Sequence, residues 1–166
     1  MDCSKGWSQG ARRDPPFPCS TICEYGRWAQ KAQVETVKVI IAGSRSITDY
    51  ATVERAVTLS GWADVITHVI SGRCDWDKPW LPPSVDQIGE LWASFNGKEI
   101  IPMPAEWAKY GKYAGRRRNV AMAEIAQGLI AVWDGKSRGT AHMIQVMENC
   151  GKGWAPKPVY VHRVTV

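Results

Sequence analysis

The residues best suited to chemistry lie in one short segment between an apolar stretch and a helical pattern. This segment, Asp134-Gly135-Lys136-Ser137-Arg138-Gly139-Thr140, combines glycines, cations and hydroxyls. Glycine lets a backbone approach a ligand without a Cβ in the way, and a helix start offers unpaired N–H groups at the positive end of its dipole. The pattern therefore predicts a phosphate-binding loop, although it lacks the order of a Walker loop. An ordinary glycine-rich turn before a capped helix is the alternative.

Two further loops follow apolar, β-branched runs and have similar chemistry. Gly43-Ser44-Arg45 follows the first run, and Ser71-Gly72 follows the second. Arg45 carries the forked guanidinium that contacts a phosphate or the edge of a base through two hydrogen bonds. We expect both loops to contribute ligand contacts. A surface arginine beside a tight turn is the competing interpretation of Arg45.

Charged residues near two predicted helices add to this set. The run Gly115-Arg116-Arg117-Arg118-Asn119 is expected just before a helix, with one arginine directed at the ligand and the others in solvent. A charge run alone is usually a solvated face. Asp86 and Glu90 have the spacing that places two side chains on one helical face. Asp86 is expected near the ligand, where it could accept a hydrogen bond from a ribose hydroxyl, or else it is a first-turn acid favoured by the helix dipole.

Strands and helices alternate from residue 37 onward. Apolar, β-branched runs predict strands at residues 37–42, 65–70, 99–103, 129–133 and 159–164. Capped helical patterns predict helices at residues 49–59, 84–95 and 117–126, and a last helix that follows residue 140 and ends near 148. This alternation predicts an α/β fold, a Rossmann-like doubly wound, mostly parallel sheet flanked by helices. Ligands of such folds bind beyond the carboxyl ends of the strands, where all of the loops above begin.

The first 36 residues differ from the rest of the chain. They contain Pro15, Pro16 and Pro18, scattered charges and no clear period. We expect residues 1–36 to form an N-terminal extension, partly disordered or draped over a single domain of residues 37–166.

Composition narrows the classes of partner. The formal net charge of +5 mildly favours anionic partners, either phosphates or nucleic acid. No apolar run approaches the roughly 20 residues of a membrane helix, and no secretory signal is evident at the start, so a cytoplasmic protein without membrane contact is expected.

The five cysteines, an odd number at irregular spacing, predict reduced thiols. Cys3, Cys19 and Cys23 lack a fourth zinc ligand nearby, so neither a metal nor a cofactor is expected.

Nine tryptophans are unusual for 166 residues. Trp76 and Trp80 lie among Pro and Asp residues, which favours a surface or pocket position where an indole stacks on a base. Loop packing is the alternative for each of them. The tryptophan content is also compatible with an interface, so a homo-oligomer stays an open expectation.

Taken in order, these segments resemble a known family. The matching segments are Gly43-Ser44-Arg45, Ser71-Gly72, Asp86 through Trp92-Ala93, Pro104-Ala105-Glu106-Trp107, Tyr110-Gly111-Lys112, Ala114-Gly115, Arg118-Asn119, Met122, Asp134 through Thr140 and His142-Met143-Ile144. Over residues 37–164 they resemble the YspA-type branch of the SLOG superfamily, which also holds the LOG phosphoribohydrolases and the DNA-processing protein DprA. The resemblance implies a Rossmann-like nucleotide-binding domain, in many members linked to conflicts between bacteria and phages. It matches Arg118, Gly139 and Thr140 to the arginine, glycine and threonine of the LOG motifs.

Two departures from that pattern bear on activity. The LOG catalytic glutamate corresponds to Met143, which has no acid–base chemistry, so a LOG-type phosphoribohydrolase is not expected. Residues 73–83, rich in Pro and Trp, replace the usual glycine-rich turn at the pocket mouth. The leading hypothesis is therefore a protein that binds a nucleotide or nucleotide-derived ligand, as a sensor, carrier or sequestering module.

Two alternatives stay open. The first is a hydrolase that cleaves an N-glycosidic or phosphoester bond, with an acid in place of the missing glutamate. The candidate acids are Asp75, Asp77, Asp86, Glu106 and Asp134. The second is binding of single-stranded nucleic acid, which would need basic groups and tryptophans in one continuous track.

Overall fold

Five parallel strands form the centre of the fold. The structure, a computed structural model, describes residues 36–74, 78–149 and 157–165. The strands are β1 (Lys38–Gly43), β2 (His68–Ser71), β3 (Glu99–Pro102), β4 (Gly128–Trp133) and β5 (Val159–Arg163). Their spatial order is β3-β2-β1-β4-β5, and every neighbouring pair is parallel. The predicted α/β, Rossmann-like, doubly wound fold is thus confirmed, with a sheet that is wholly parallel over the described residues.

Helices connect consecutive strands and cover the sheet. They are α1 (Tyr50–Ser60), α2 (Val85–Phe95), the single turn α3 (Trp107–Tyr110), α4 (Ala114–Ile125) and α5 (Arg138–Asn149), with a 3₁₀ turn at Gly111–Tyr113 between α3 and α4. Local chemistry sets several boundaries. The Asp49 carboxylate accepts a hydrogen bond of 2.9 Å from the Thr52 N–H and caps α1. Gly61 ends the same helix with φ of 72°, a left-handed conformation suited to glycine.

The sheet has an apolar core on each face, because successive strand residues point to opposite sides. On one face Val39 and Ile41 of β1 pack with buried residues of α1 and α2. On the other face Ile40 of β1 packs with buried residues of α4 and α5, among them Met122 and Met143. The runs that form the central strands β1, β2 and β4 are therefore buried from both sides, as is usual for parallel sheets, while the edge strands β3 and β5 are only partly buried.

Three predicted boundaries are wrong. Helix α5 begins at Arg138 rather than after residue 140, so the last residues of the predicted loop belong to the helix. Helix α4 begins at Ala114 rather than 117, so the segment Gly115–Asn119 lies within the first turns of the helix instead of preceding it. Strand β2 begins at His68 rather than 65. Val65 is 54% exposed and its N–H donates to the Trp62 carbonyl in a turn, so its β-branched side chain does not enter the core.

Some predictions fall on residues that the structure does not describe. The proposed N-terminal extension, apart from residue 36, is one of them, and Asp75, Trp76 and Asp77 are others. Among the described residues, no helix has the length and apolar character needed to cross a membrane.

Candidate functional site

A cavity of about 690 Å³ opens at the carboxyl ends of β1 and β4. Chain connections leave β1 and β4 toward opposite faces of the sheet, because β2 lies on one side of β1 and β4 on the other. Doubly wound folds bind ligands at such a switch point. Residues from the end of β1, the starts of α2 and α5, and the first turns of α4 line the cavity. Its size is typical of sites for small molecules.

The cavity is strongly cationic. Two acids, Asp86 and Asp134, line it beside six cationic side chains: Arg45, Lys112, Arg116, Arg118, Lys136 and Arg138. The low-dielectric walls of a cleft concentrate the field of like charges. The site as a whole therefore attracts anions more strongly than the net charge of the chain suggests.

The loop after β4 is held by its own carboxylate. Asp134 Oδ1 accepts hydrogen bonds from the backbone N–H groups of Lys136 and Ser137, each 2.9 Å long, and from the Ser44 hydroxyl at 2.7 Å. Asp134 Oδ2 accepts a hydrogen bond of 2.8 Å from Ser46. These bonds, led by the Ser137 N–H, hold the pKa of Asp134 far below its usual range. Two backbone donors that the sequence suggested for a phosphate are thus already used by Asp134.

The start of α5 keeps other donors for a ligand. Ser137 precedes the helix, and its Oγ accepts from the Thr140 N–H at 3.4 Å and the Thr140 hydroxyl at 3.0 Å. Its carbonyl accepts the Ala141 N–H at 3.0 Å. Within the described part of the chain, the Ser137 hydroxyl proton and the N–H groups of Arg138 and Gly139 have no acceptor, and all three residues line the cavity. The backbone donors that remain available are therefore those of the helix start, not those of the turn that precedes it.

Arg118 links the two halves of the site. Its Nη1 donates to the Gly72 carbonyl, its Nε donates to Asn119 Oδ1 at 3.0 Å, and Nη1 lies 3.9 Å from Asp86 Oδ2. The side chain is only 16% exposed. A Cβ at position 72 would lie 1.7 Å from Arg118 Nη1, so Gly72 makes room for the guanidinium. Arg118 is thus the arginine that points inward, and it positions other residues while it lines the cavity.

The two neighbouring arginines are exposed, as the sequence predicted. Arg116 also lines the cavity. Arg117 packs over the Tyr110 ring, 4.2 Å from its centroid. Successive residues of α4 point about 100° apart, so the three arginines have different surroundings.

The second lining acid is Asp86, which takes no part in the hydrogen bonds of the loop after β4. It is buried in the first turn of α2, where its Oδ2 accepts a hydrogen bond of 3.4 Å from the Cys74 N–H. Burial raises its pKa, while nearby Arg118 opposes the shift. Glu90, one turn further along α2, is buried behind it, with Oε1 3.5 Å from Nε of Arg73. The predicted shared face of the two acids is therefore present, and only Asp86 faces the cavity.

The end of β1 supplies the opposite wall. Gly43 and Arg45 line the cavity, and Arg45 Nη2 lies 3.1 Å from Cys74 Sγ. Ser44 is fully buried and does not line it. Its Oγ donates to Asp134 Oδ1 and accepts a hydrogen bond of 3.1 Å from the Asp134 N–H, which ties the loop after β1 to the loop after β4.

The structure brings most of the predicted site residues together. Nine line the cavity: Gly43, Arg45, Asp86, Arg118, Asn119, Asp134, Ser137, Gly139 and Thr140. Four others do not line the cavity but lie at the strand ends or in the loops beside it: Ser44, Ser71, Gly72 and Gly135. Ser71 Oγ accepts the Arg73 N–H at 3.1 Å, and Gly135 has φ of 78°, which lets the turn close. Trp80 is 75% exposed and is not part of the lining.

Several lining residues had no predicted ligand role, among them Trp107, Lys112, Arg116 and His142. His142 lies one turn into α5, with Nδ1 3.3 Å from Asn119 Nδ2. Burial, and then Arg116, lowers its pKa, so the imidazole is neutral at pH 7. The signal that could have identified it is its position two residues after Thr140, on the first inward turn of the helix.

Met143 is the residue that the resemblance matches to the catalytic glutamate of LOG enzymes. It is buried in the core on the inner side of α5, and it also lines the cavity. Glu106 lines a separate cavity of about 380 Å³ beside Tyr110 and Arg117. Among the described residues, no group of three His, Cys, Asp or Glu side chains is arranged to hold a metal ion.

Comparisons of the chain with protein-family models, with curated proteins and with solved structures found no match. The resemblance to the SLOG superfamily therefore stays a prediction, carried by the motifs in the sequence.

Proposed function

We propose that this chain binds a nucleotide or nucleotide-derived ligand and acts as a sensor, carrier or sequestering module. The observation that carries the proposal is the cationic cavity at the switch point between β1 and β4. A cavity with six cations and two acids selects an anion, and its volume fits a small molecule rather than a lone ion.

The donors at the start of α5 suit a phosphate group in particular. The N–H groups of Arg138 and Gly139 and the Ser137 hydroxyl belong to this helix start, beside the exposed cations Lys136 and Arg138, and all four residues line the cavity. Phosphate oxygens accept several such hydrogen bonds at once, and the helix dipole favours their charge. The likeness to SLOG proteins points to the same ligand class. A role in conflict between bacteria and phages belongs to this proposal as its biological setting.

Isothermal titration calorimetry tests the proposal against nucleoside mono-, di- and cyclic phosphates and ADP-ribose. We expect at least one of these ligands to bind below millimolar Kd, and the double variant Lys136→Ala/Arg138→Ala to weaken it at least tenfold. Both side chains are exposed, so their loss leaves the core intact. Arg55→Ala is the matched control, because Arg55 is an exposed cation on α1, outside the cavity lining. Absence of binding across the panel, or equal losses in both variants, contradicts the proposal.

A single-stranded oligonucleotide belongs in the same experiment. Binding that weakens steeply with salt and exceeds that of every mononucleotide would favour nucleic acid as the ligand instead.

Hydrolysis of the ligand is the second candidate function. The burial of Asp86 at the cavity wall is the observation that favours it. Burial raises the pKa of this acid, which faces the cavity at the start of α2. A carboxylic acid with a raised pKa is suited to donate a proton to a leaving group. Release of free base or sugar phosphate during incubation with nucleotides, detected by chromatography and abolished in Asp86→Asn, would support hydrolysis. Intact nucleotide after prolonged incubation would leave binding as the function.

A further inference from the structure

The cavity has two chemically different ends. One end is formed by the start of α5, with its N–H groups, hydroxyls and cations. The other is formed by α3 and the first turn of α4, where Trp107, Lys112, Gly115 and Arg116 line the cavity. A ligand that fills both ends must therefore combine an anionic part with a part suited to an aromatic wall.

Trp107 is fixed at its end by a specific contact with α4. An added Cβ at Gly115 would lie 3.3 Å from Trp107 Cη2 and 3.9 Å from Cζ2, so the benzene edge of the indole packs directly on this glycine. The residue nevertheless remains 57% exposed. An aromatic side chain that is anchored at one edge and open elsewhere offers a preformed surface for a flat ring.

The two groups of lining residues meet on one helix. Asn119 Nδ2 donates to the Gly139 carbonyl at 3.2 Å and joins α4 to the start of α5. Gly115 and Asn119 are four residues apart on α4, which is about 6 Å along the helix axis. The indole of Trp107, which packs on Gly115, and the start of α5 therefore both lie against the first turns of α4 and line one cavity.

Charge indicates how many phosphates the site accommodates. Arg118 is committed to Asp86, Asn119 and the Gly72 carbonyl, and both Asp134 oxygens accept hydrogen bonds from neighbouring loop residues. Four lining cations have no ion pair with an acid among the described residues: Lys112, Arg116, Lys136 and Arg138. One phosphate monoester carries a charge of about −1.5 to −2 at pH 7, which leaves two or more of these cations without a counter-charge.

We propose that Trp107 is the stacking wall for a nucleobase and that the ligand is a nucleoside bearing at least two phosphates. This inference rests on the proposed function and specifies the ligand class of the same site. Trp107 recognises the planar base, the start of α5 holds the phosphates, and the four lining cations together carry more charge than one phosphate balances. Stacking on an exposed indole tolerates different bases, so the site distinguishes nucleotides from simple phosphates more strongly than one base from another.

Calorimetry on Trp107→Ala tests the base contact, with ADP and UDP as nucleotides and inorganic pyrophosphate as the ligand without a base. We expect the variant to lose about tenfold in affinity for both nucleotides and less than twofold for pyrophosphate. Trp107→Phe restores part of the nucleotide affinity, because it keeps an aromatic face for the base, although it lacks the indole edge that packs on Gly115. Phe95→Ala is the control, since Phe95 is 75% exposed on α2 and is not part of the cavity lining.

The outcomes separate this inference from the proposed function. Failure of the wild type to bind either nucleotide or pyrophosphate contradicts both. Binding by the wild type together with unchanged nucleotide affinity in Trp107→Ala, or with equal losses for nucleotide and pyrophosphate, overturns the stacking role alone. A loss of base-dependent affinity in Trp80→Ala instead would assign stacking to the loop tryptophan. AMP and ADP binding with equal affinity would overturn the requirement for two phosphates.

Discussion

Replacing Gly43 by alanine places a methyl group where the sheet has no room for it. The new Cβ would lie 2.3 Å from the Val132 carbonyl oxygen of β4 and 2.7 Å from the nearest Val85 methyl of α2. Both neighbours belong to the core, since Val85 and Val132 are fully buried. Relief requires β1 to move away from β4 by about 1 Å, because ordinary carbon contacts begin near 3.5 Å.

The cost follows from that displacement. Forcing an extra carbon into a packed interior costs about 1–3 kcal/mol. The shift also strains the 3.0 Å hydrogen bond from the Ser44 N–H to the Val132 carbonyl, worth about 1 kcal/mol. We therefore expect Gly43→Ala to lower the free energy of unfolding by about 2–4 kcal/mol, which for a chain of this size is roughly 5–15 °C in Tm.

Urea unfolding followed by circular dichroism measures this loss. Gly139→Ala is the matched control, because a Cβ at Gly139 meets nothing within 4 Å. An unfolding midpoint for Gly43→Ala that equals that of the wild type would refute the reasoning, since it would mean that β1 and β4 separate without cost. Loss of stability in Gly139→Ala would refute it as well.

Three further predictions concern the site. Gly139→Ala keeps or slightly raises the free energy of unfolding, because alanine is the better helix residue by about 1 kcal/mol. The same variant weakens nucleotide binding in calorimetry, because the added methyl group fills the space at the start of α5. Unchanged affinity would place the ligand elsewhere. Arg118→Ala lowers the free energy of unfolding by about 1.5–3 kcal/mol, and Arg118→Lys recovers little of it in the same urea experiment, since an ammonium cannot reach both Asn119 and the Gly72 carbonyl. The folded-state pKa of Asp134 lies below its unfolded value, so its stabilising effect is present above about pH 4 and is lost as the pH falls further. Between pH 5 and pH 2, the free energy of unfolding should therefore fall less steeply in Asp134→Asn than in the wild type. Equal slopes would exclude this role.

The sheet and most helices could be predicted because their signals are local. The β-branched runs predicted all five strands of the described chain, and the predicted helices at 49–59 and 84–95 begin within one residue of α1 and α2, whose N-caps are Asp49 and Ser84. The start of α4 was missed because the run from Tyr110 to Gly115 contains two glycines, which usually interrupt helices. Gly115 is nevertheless helical, because the Trp107 ring packs against it. That contact between α3 and α4 is tertiary and leaves no local signal.

The candidate site was predicted in outline for a similar reason. Parallel strands place their carboxyl ends at one edge, so the loops after β1 and β4 had to meet there. The sequence could not show which donors remain available after the loops have paired with each other. Arg118 and Asp134 look like ligand contacts in the sequence, but both form hydrogen bonds within the protein. Trp107 lies on a single helical turn without apolar periodicity, so no pattern separated it from the other tryptophans.

The hydrogen bonds of the Asp134 carboxylate bear on the rate and the affinity of ligand binding. It already occupies the N–H groups of Lys136 and Ser137 and reaches across to Ser44, so hydrogen bonds within the protein hold the loop after β4 in place without a ligand. Ordering a rotamer-rich side chain on binding costs about 0.5–1.5 kcal/mol, and a preorganised loop avoids that entropic penalty. Association at this loop should therefore proceed as one bimolecular step, without a slow rearrangement that becomes rate-limiting at high ligand concentration.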